Sequence, residues 1–317
     1  MRIAIVADGG PGVGLGHLSR CLALAQALRE RGARVVFLTS DAGCRAWIRR
    51  QGFASAPWKD AAWDVMISDS YRLNSADLAR LRRRAGVWLA LDDLGRPPKG
   101  ADLVLNGSAG ASTLGYPRSR RFLLGPRYSP LRREYWRPAR RRVKARIKNL
   151  LIMSGGGDVP EASLLARVRS ILPEAVLHVV VGPFAKAALR GATLHRAPAT
   201  LKPLMELCDA AVSAGGHTLY ELAALGTPTV GVILAGNQAP NVHALARKGL
   251  LLSAGSALRR GLDERVMAAL AKLEPASARR RMSAAQRRLV DGQGARRVAA
   301  RLLLTPPPSR VKLTASR

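Results

Sequence analysis

The sequence has few cysteines, few aromatic residues and no long apolar segment, and each shortage excludes a class of protein. Its three cysteines, Cys21, Cys44 and Cys208, are far apart and form no CxxC pair. This pattern argues against a disulfide framework or a zinc site and favours a reducing cytoplasm. No apolar run approaches the roughly 20 residues that a membrane-spanning helix needs, so we expect no stable membrane insertion. An apolar strand pattern begins at Ile3, so we expect no signal peptide.

Acidic residues are also scarce. The chain has 21 Asp and Glu against 52 Lys and Arg, which gives a formal net charge of +31. Such a charge is typical of nucleic-acid-binding proteins. Here the basic residues are spread along helical segments, and the aromatic residues that would stack on bases make up only 4% of the chain. We therefore expect no nucleic-acid partner, and we expect the positive field to attract an anionic small molecule.

The length of 317 residues suggests two domains, and strand patterns alternate with helix patterns as a parallel α/β sheet requires. The alternation stops at a proline-rich segment and the basic run 137–148, and then restarts. The sequence predicts an α/β fold with two Rossmann-like domains facing across a cleft. We expect an N-terminal domain over 1–146, a C-terminal domain over 147–304, and a disordered tail over 305–317. The basic run would be a solvated linker or hinge.

The first glycine-rich loop joins the first strand to an amphipathic helix that starts at His17. Glycines such as Gly14 and Gly16 let backbone N–H groups approach a ligand, and the helix N-terminus favours negative charge. The same dipole disfavours an imidazolium, so we expect a neutral His17 that can accept a proton. His17 stands where the dinucleotide fingerprint needs a glycine, which argues against NAD or FAD. The alternative is that His17 only caps the helix.

Polar residues follow the other strands of the N-terminal half, namely Asp69, Tyr71, Asp92, Asp93 and Asn106. The carboxyl ends of parallel strands line the ligand crevice, so we expect these side chains on one rim. Other interpretations stay open. Asp69 and Tyr71 can cap the helix that follows them, and the paired aspartates can form a turn.

A second group of candidate residues begins with Gly215 and Gly216, which precede a helix. Their N–H groups suit a diphosphate. His217, Thr218 and Glu221 share one face of that helix, and the Glu221 carboxylate can accept both hydroxyls of a ribose. The alternative is that Thr218 and Glu221 form a capping box without a ligand.

Two further features belong to the C-terminal half. Gly155 and Gly156 follow its first strand in a loop that mirrors the N-terminal glycine loop. Asn237 and Gln238 follow a later strand, where they lie on the same rim or cap the helix before Pro240.

Six sequence blocks together resemble the nucleotide-sugar hydrolases of the pseudaminic acid pathway, the PseG/SpsG family, which are relatives of the two-domain GT-B glycosyltransferases. The blocks are Gly16-His17-Leu-Ser-Arg20-Cys21, Asp69-Ser-Tyr71, Leu124-Gly-Pro-Arg-Tyr128-x-x-Leu131-Arg, Ser154-Gly-Gly-Gly-Asp158, Ser213-Ala-Gly-Gly-His-Thr-Leu-Tyr-Glu221 and Asn237-Gln238. The resemblance covers residues 1 to about 304 and implies a GT-B-like α/β fold. The first and the fifth block are the most specific.

The resemblance implies hydrolysis of UDP-2,4-diacetamido-2,4,6-trideoxy-β-L-altropyranose to UDP and the free sugar. UDP would be held mainly by the C-terminal domain, and a base on the other domain would direct water to the opposite face of the sugar, with inversion. His17 would be the general base and Tyr71 a second catalytic residue in contact with the substrate. His217 departs from the small residue expected there. The full set of predicted binding residues is Gly14, Gly16, Arg20, Asp69, Gly155, Gly156, Gly215, Gly216, His217, Thr218, Glu221, Asn237 and Gln238.

Carboxylates at metal-ligand spacing are missing from the sequence, so we predict no metal and no cofactor. We expect a cytoplasmic monomer that acts on a UDP-sugar. Two alternatives remain. One is a GT-B glycosyltransferase that transfers a sugar from a UDP-sugar to a cell-envelope acceptor, and the other is a non-catalytic basic protein that binds an anionic polymer.

Overall fold

The computed structural model describes residues 1–10, 15–58, 60–139, 141–153, 162–181 and 191–307. The chain divides into two compact units. The first comprises Met1–Asn106, Pro117–Leu123 and the chain from Arg296 on, and the second comprises Gly107–Tyr116 and Leu124–Ala295. Gly14, Gly155, Gly156 and residues 308–317 of the predicted tail lie outside the described residues.

The first unit contains a seven-stranded sheet in the order β3-β2-β1-β4-β5-β6-β7. Its strands are β1 (Arg2–Ala7), β2 (Arg34–Leu38), β3 (Ala54–Ala56), β4 (Trp63–Asp69), β5 (Ala85–Leu91), β6 (Leu103–Asn106) and β7 (Phe122–Leu124). Its helices are α1 (Gly16–Glu30), α2 (Ala42–Arg50) and α3 (Ser75–Arg84). Strands β1 to β6 pair in parallel. Consecutive residues of β1, such as Ile3, Ala4 and Ile5, are all buried, as expected for a parallel sheet covered on both faces.

The second unit contains a six-stranded parallel sheet in the order β10-β9-β8-β11-β12-β13. Its strands are β8 (Asn149–Met153), β9 (Val176–Val181), β10 (Thr193–Arg196), β11 (Ala210–Ala214), β12 (Thr229–Ile233) and β13 (Leu252–Ser256). Its helices are α4 (Ala162–Ile171), α5 (Lys202–Leu207), α6 (Thr218–Leu225), α7 (Ala239–Arg247), α8 (Leu262–Leu273) and α9 (Ala276–Leu289). The last helix, α10 (Gly294–Leu303), begins in this unit and continues in the first.

Both faces of the second sheet carry a core. Leu150 and Ile152 of β8 belong to one buried apolar cluster, and their neighbours Leu151 and Met153 belong to another. The predicted α/β class with two parallel sheets is therefore confirmed, while the cleft stays a prediction. No helix in the described part of the chain has the length and apolar character that spanning a membrane requires.

The basic run 137–148 is fastened to the second unit rather than free. Arg141 Nη1 donates to the backbone oxygen of Met205 and to Thr227 Oγ1, each at 3.1 Å, and Nη2 donates to the backbone oxygen of Cys208. Ile147 is buried. The expectation of a solvated linker or hinge is wrong for these anchored positions, because a freely moving segment would not bury a guanidinium among backbone oxygens.

Candidate active site

A histidine–aspartate pair lies at the carboxyl edge of the first sheet. His17 is in the first turn of α1, and Asp69 is the last residue of β4. His17 Nδ1 lies 2.6 Å from Asp69 Oδ1. An ionised carboxylate only accepts hydrogen bonds, so we assign the ring proton to Nδ1. His17 Nε2 then keeps its lone pair and can accept a proton from a ligand.

Arg20 joins Asp69 to a second aspartate. Its Nε and Nη2 donate to the two oxygens of Asp69, each at 2.5 Å, and its Nη1 donates to Asp93 Oδ2 at 2.7 Å. Arg20 Nη2 also lies 3.1 Å from His17 Nδ1. That contact is not a hydrogen bond, because both atoms carry protons when Nδ1 donates to Asp69.

The Asp69 carboxylate is only 1% exposed. Burial by itself would raise the pKa of Asp69, but the charge and hydrogen bonds of Arg20, with those of His17, outweigh it and hold the pKa well below its usual range. The carboxylate is therefore ionised at neutral pH and fixes the orientation and tautomer of His17.

Tyr71 packs against this pair from the solvent side. Its ring meets the His17 ring edge-on with centroids 4.8 Å apart, and the residue is 50% exposed. Its hydroxyl donates to Asp93 Oδ2 at 2.8 Å, and its backbone N–H donates to Asp8 Oδ2 at 2.8 Å. Burial, followed by the charge of Asp93, raises the pKa of the Tyr71 hydroxyl. This favours a binding role for Tyr71 over transfer of a proton.

The alternative capping roles in the first unit are wrong. The residue that caps α1 is Leu15, and α1 has no side-chain cap. Asn74 caps α3 in a capping box with Asp77, so neither Asp69 nor Tyr71 does so.

The two adjacent aspartates have separate roles. The turn interpretation is confirmed for Asp92, whose Oδ1 accepts from the backbone N–H of Leu94 at 2.9 Å. Asp93 instead binds Arg20 and Tyr71. Sequence reasoning considered Asp93 but did not select it as a site residue.

In the second unit, the glycine pair has two different environments. Gln238 Oε1 accepts from the backbone N–H groups of Gly215 and Leu234 at 3.2 and 2.9 Å. A Cβ on Gly215 would lie 2.5 Å from Val242 Cγ2, whereas a Cβ on Gly216 would meet nothing within 4 Å. The N–H of Gly215 is thus already bonded, and the open position beside α6 is Gly216.

A buried polar chain that sequence reasoning missed holds the Gly215 carbonyl. The backbone N–H of Ala109 donates to the Tyr220 hydroxyl at 2.6 Å, and that hydroxyl donates to Asn241 Oδ1. Asn241 Nδ2 donates to the backbone oxygen of Gly215 at 3.1 Å. Tyr220 belongs to one of the family blocks, but nothing in the local sequence singles out Asn241.

The helix after the glycines lacks the capping box that the sequence allowed. His217 occupies the N-cap position of α6 without a side-chain cap hydrogen bond, so Thr218 does not cap the helix. His217 Nε2 lies 3.0 Å from the backbone oxygen of Pro130, to which it donates. The imidazole is therefore bound to the proline-rich segment that contains Pro130, which gives this unexpected residue a structural contact.

Glu221 is a buried carboxylate with a weak ion pair. It is 5% exposed, and its Oε1 lies 3.5 Å from Arg132 Nη2. Burial raises the pKa of Glu221, and Arg132 acts in the opposite direction. A single long contact leaves most of the acceptor capacity of the carboxylate available.

The structure thus brings together His17, Arg20, Asp69 and Tyr71 in one unit, and Gly215 and Gln238 in the other. Asn237 is exposed in a short 3₁₀ turn over Gly236–Gln238, and Gly16 opens α1 with free space beside it. Among the described residues, no group of three or more His, Cys, Asp or Glu side chains is placed to hold a metal ion.

Comparison with family models returned no match. Among curated proteins, the chain is 28% identical over 251 residues to the Helicobacter pylori "Pseudaminic acid cytidylyltransferase and UDP-2,4-diacetamido-2,4,6-trideoxy-beta-L-altropyranose hydrolase", which covers 75% of this chain and 45% of that protein. It is 24% identical over 292 residues to the Bacillus subtilis spore coat polysaccharide biosynthesis protein SpsG. That match covers 80% of this chain and 84% of SpsG. An uncharacterised Methanocaldococcus jannaschii protein is 26% identical, covering 73% and 55%. The chain therefore spans about half the length of the first and third of these relatives. The predicted resemblance to the PseG/SpsG family is confirmed.

Solved structures share the fold. The glycosyltransferase of kitacinnamycin has a TM-score of 0.66 at 16% identity, covering 94% of this chain and 97% of that one. Acinetobacter baumannii MurG has a TM-score of 0.64 at 15% identity, covering 96% and 99%. Spinosyn rhamnosyltransferase SpnG complexed with thymidine diphosphate has 0.64 at 14%, covering 95% and 98%. At these identities the likeness shows the fold, which is that of the GT-B glycosyltransferases.

Proposed function

We propose that the chain is a UDP-sugar hydrolase in which His17 activates the water that attacks the anomeric carbon. The observation that carries the proposal is the 2.6 Å contact between His17 Nδ1 and Asp69, because it leaves Nε2 as the proton acceptor. The same arrangement of a base oriented by a buried carboxylate recurs in hydrolases of unrelated fold.

The proton balance of the step is simple. Water loses a proton to His17 Nε2 as its oxygen bonds to the anomeric carbon, and the bond from that carbon to the UDP oxygen breaks. The ionised Asp69 stabilises the imidazolium that forms, and Arg20 keeps Asp69 in place. Displacement in one step inverts the anomeric carbon.

The second unit supplies the proposed nucleotide site. Glu221 has acceptor capacity for the two ribose hydroxyls, and the start of α6 beside Gly216 offers backbone N–H groups for the diphosphate. These dipoles can stabilise the charge that develops on UDP as it leaves. We assign Thr218, Asn237 and Gln238 to the same site, and we keep Gly14, Gly155 and Gly156, which lie outside the described residues, as predicted substrate-binding residues. A protein of this design needs no metal.

The proposed sugar is 2,4-diacetamido-2,4,6-trideoxy-β-L-altropyranose, carried on UDP. Its support is the name of the Helicobacter pylori relative, which is 28% identical to this chain. We propose that the enzyme works as a cytoplasmic monomer, with catalysis in the first compact unit and UDP binding in the second.

A glycosyltransferase is the second candidate, because the solved neighbours are glycosyltransferases. His17 would then activate an acceptor hydroxyl in place of water. The discriminating experiment measures UDP release from a panel of UDP-sugars, without acceptor and with EDTA. Release from the diacetamido-trideoxy sugar supports the hydrolase, and release that requires a cell-envelope extract supports the transferase. Salt-sensitive polyanion binding without any UDP release indicates the non-catalytic alternative.

A further inference from the structure

Arg132 lies in the proline- and aromatic-rich segment 125–138 and has no role in the proposed reaction. Its Nη2 is 2.9 Å from Glu134 Oε1 and 3.5 Å from Glu221 Oε1. Arg132 Nε is buried and has no hydrogen-bond partner among the described residues. One guanidinium thus lies between two carboxylates that are 87 positions apart in the sequence, closer to Glu134 than to Glu221.

 

The two carboxylates differ in how they are held. Glu134 Oε2 also accepts from Thr200 Oγ1 at 2.5 Å, so Glu134 is anchored independently of Arg132. Within the described residues, the Glu221 carboxylate has one ion pair, the long contact with Arg132. A close bidentate pair would occupy both of its oxygens. Because Arg132 also pairs with Glu134, its positive charge stays near Glu221 while the Glu221 oxygens remain able to accept hydrogen bonds from a ligand.

We infer that Arg132 is the positioning residue of the nucleotide site: it keeps the buried Glu221 carboxylate ionised and free to accept ribose hydroxyls, and Glu134 limits the strength of that pairing. The inference rests on the proposed function, since it takes UDP to be the ligand. It adds two residues, neither of them expected to touch the ligand, to the determinants of UDP affinity.

Because of the charged groups around Glu221, the inference predicts that ribose binding depends on pH. Arg132 lowers the pKa of Glu221, whereas burial and the charge of Glu134 raise it. The other titratable groups nearby are the Tyr135 hydroxyl, whose pKa burial raises, and His217 on the same helix. A protonated Glu221 accepts fewer hydrogen bonds, so ribose binding is lost as the pH falls through its pKa. Removing Arg132 moves this loss to higher pH, and neutralising Glu134 moves it to lower pH.

The experiment titrates UDP and 2′,3′-dideoxy-UDP into the full-length protein by calorimetry between pH 5 and pH 8. The ratio of the two affinities isolates the ribose contact and cancels the titration of the phosphates. We expect wild type to prefer UDP by about 10–100-fold near neutral pH, the range for hydrogen bonds to a charged group, and Glu221→Gln to lose most of that preference. Arg132→Gln should lose it at neutral pH and regain part of it at pH 8. Glu134→Gln should keep it to lower pH than wild type does.

The matched controls are Arg146→Gln and Glu174→Gln, which remove an exposed ion pair of the same unit and should leave the ratio unchanged. If Arg132→Gln does not fold, Arg132→Lys and Glu134→Gln decide, because the first should keep most of the preference and the second should still shift its pH dependence. The inference is overturned if Glu221→Gln abolishes the preference while the variants of Arg132 and Glu134 leave it unchanged at every pH. If wild type does not bind UDP, or if Glu221→Gln has no effect on the ratio, the proposed nucleotide site itself is wrong.

Discussion

His17 Nδ1 and Asp69 Oδ1 are 2.6 Å apart, and the same carboxylate receives two further hydrogen bonds from Arg20. A single buried aspartate therefore determines the tautomer of the histidine. In the proposed mechanism, replacing Asp69 acts on the reaction through His17, because the carboxylate contacts Nδ1 of the ring and Nε2 is the proposed base.

Replacing the base tests its role without disturbing the proposed nucleotide site. We expect His17→Ala to lower kcat by about 10²–10⁴-fold, the usual contribution of a general base, with UDP affinity within about twofold of wild type. The measurements are UDP release and calorimetric UDP binding. His243→Ala, on the exposed face of α7, is the control and should keep full activity. An equal loss of UDP affinity and kcat in His17→Ala would show that His17 is structural.

Asp69→Asn preserves shape but removes the charge that holds the Nδ1 proton. The amide can donate to Nδ1 and so leave the proton on Nε2, the wrong tautomer for a base. We expect kcat to fall by about 10²–10⁴-fold while KM changes little. Asn at this position with near wild-type kcat contradicts the histidine–aspartate pair.

The same variant has a defined effect on stability. The pKa of Asp69 is held below its unfolded value of about 3.9, so its stabilising contribution is complete above that pH and is lost as the pH falls below it. The difference in unfolding free energy between wild type and Asp69→Asn should therefore be largest at neutral pH and smaller at pH 3. Urea unfolding at both pH values measures it. A difference that grows on acidification contradicts the direction of the shift.

Variants of Tyr71 distinguish between a binding role and an acid–base role for this residue. Its hydroxyl donates to Asp93, so Tyr71→Phe loses that hydrogen bond but keeps the ring against His17. We expect Tyr71→Phe to lower kcat by less than about tenfold, because tenfold corresponds to about 1.4 kcal/mol, near the upper end for one hydrogen bond, and Tyr71→Ala to lower kcat/KM further. Steady-state kinetics of the two variants decides, since a Phe variant as inactive as the Ala variant would require the hydroxyl in the reaction.

Arg279 has a structural role, which the high net charge of the chain does not indicate. It is completely buried and donates to four backbone oxygens, those of Leu273, Glu274, Lys144 and Ala145. Arg279→Met leaves these acceptors without a donor and should cost about 3 kcal/mol or more of unfolding free energy. The matched control is Arg280→Met at the exposed neighbour, which should stay within about 0.5 kcal/mol. Equal stability of the two variants contradicts the assignment.

Local sequence patterns predict most of the strands, including the edge strand β7, but miss the other three edge strands. The strands that no pattern indicated are β3, β10 and β13, and each is an edge strand of its sheet. The edge strand Thr193–Arg196 has only exposed and half-buried residues and lacks the continuous apolar run of the central strands. The central strands have this apolar run and the helices have an amphipathic pattern, so both can be predicted from the sequence.

The site is predictable where its residues belong to a motif and unpredictable where distant segments meet. His17, Arg20, Asp69 and Tyr71 follow from the glycine loop, the strand ends and the family blocks. Asp93 contacts Arg20 across 73 positions, and local sequence cannot distinguish it from its neighbour in the turn. Long-range pairing of this kind depends on the topology of the sheet rather than on spacing.

The most direct test of the central proposal is the fate of labelled water. Wild-type protein is incubated with the UDP-linked diacetamido-trideoxy sugar in ¹⁸O-water, quenched early, and its products are examined by mass spectrometry and proton NMR. Base-assisted attack by water at the anomeric carbon predicts the label in the sugar, unlabelled UDP and an inverted anomer. Label in the phosphate product, or no UDP release until an acceptor is added, contradicts it.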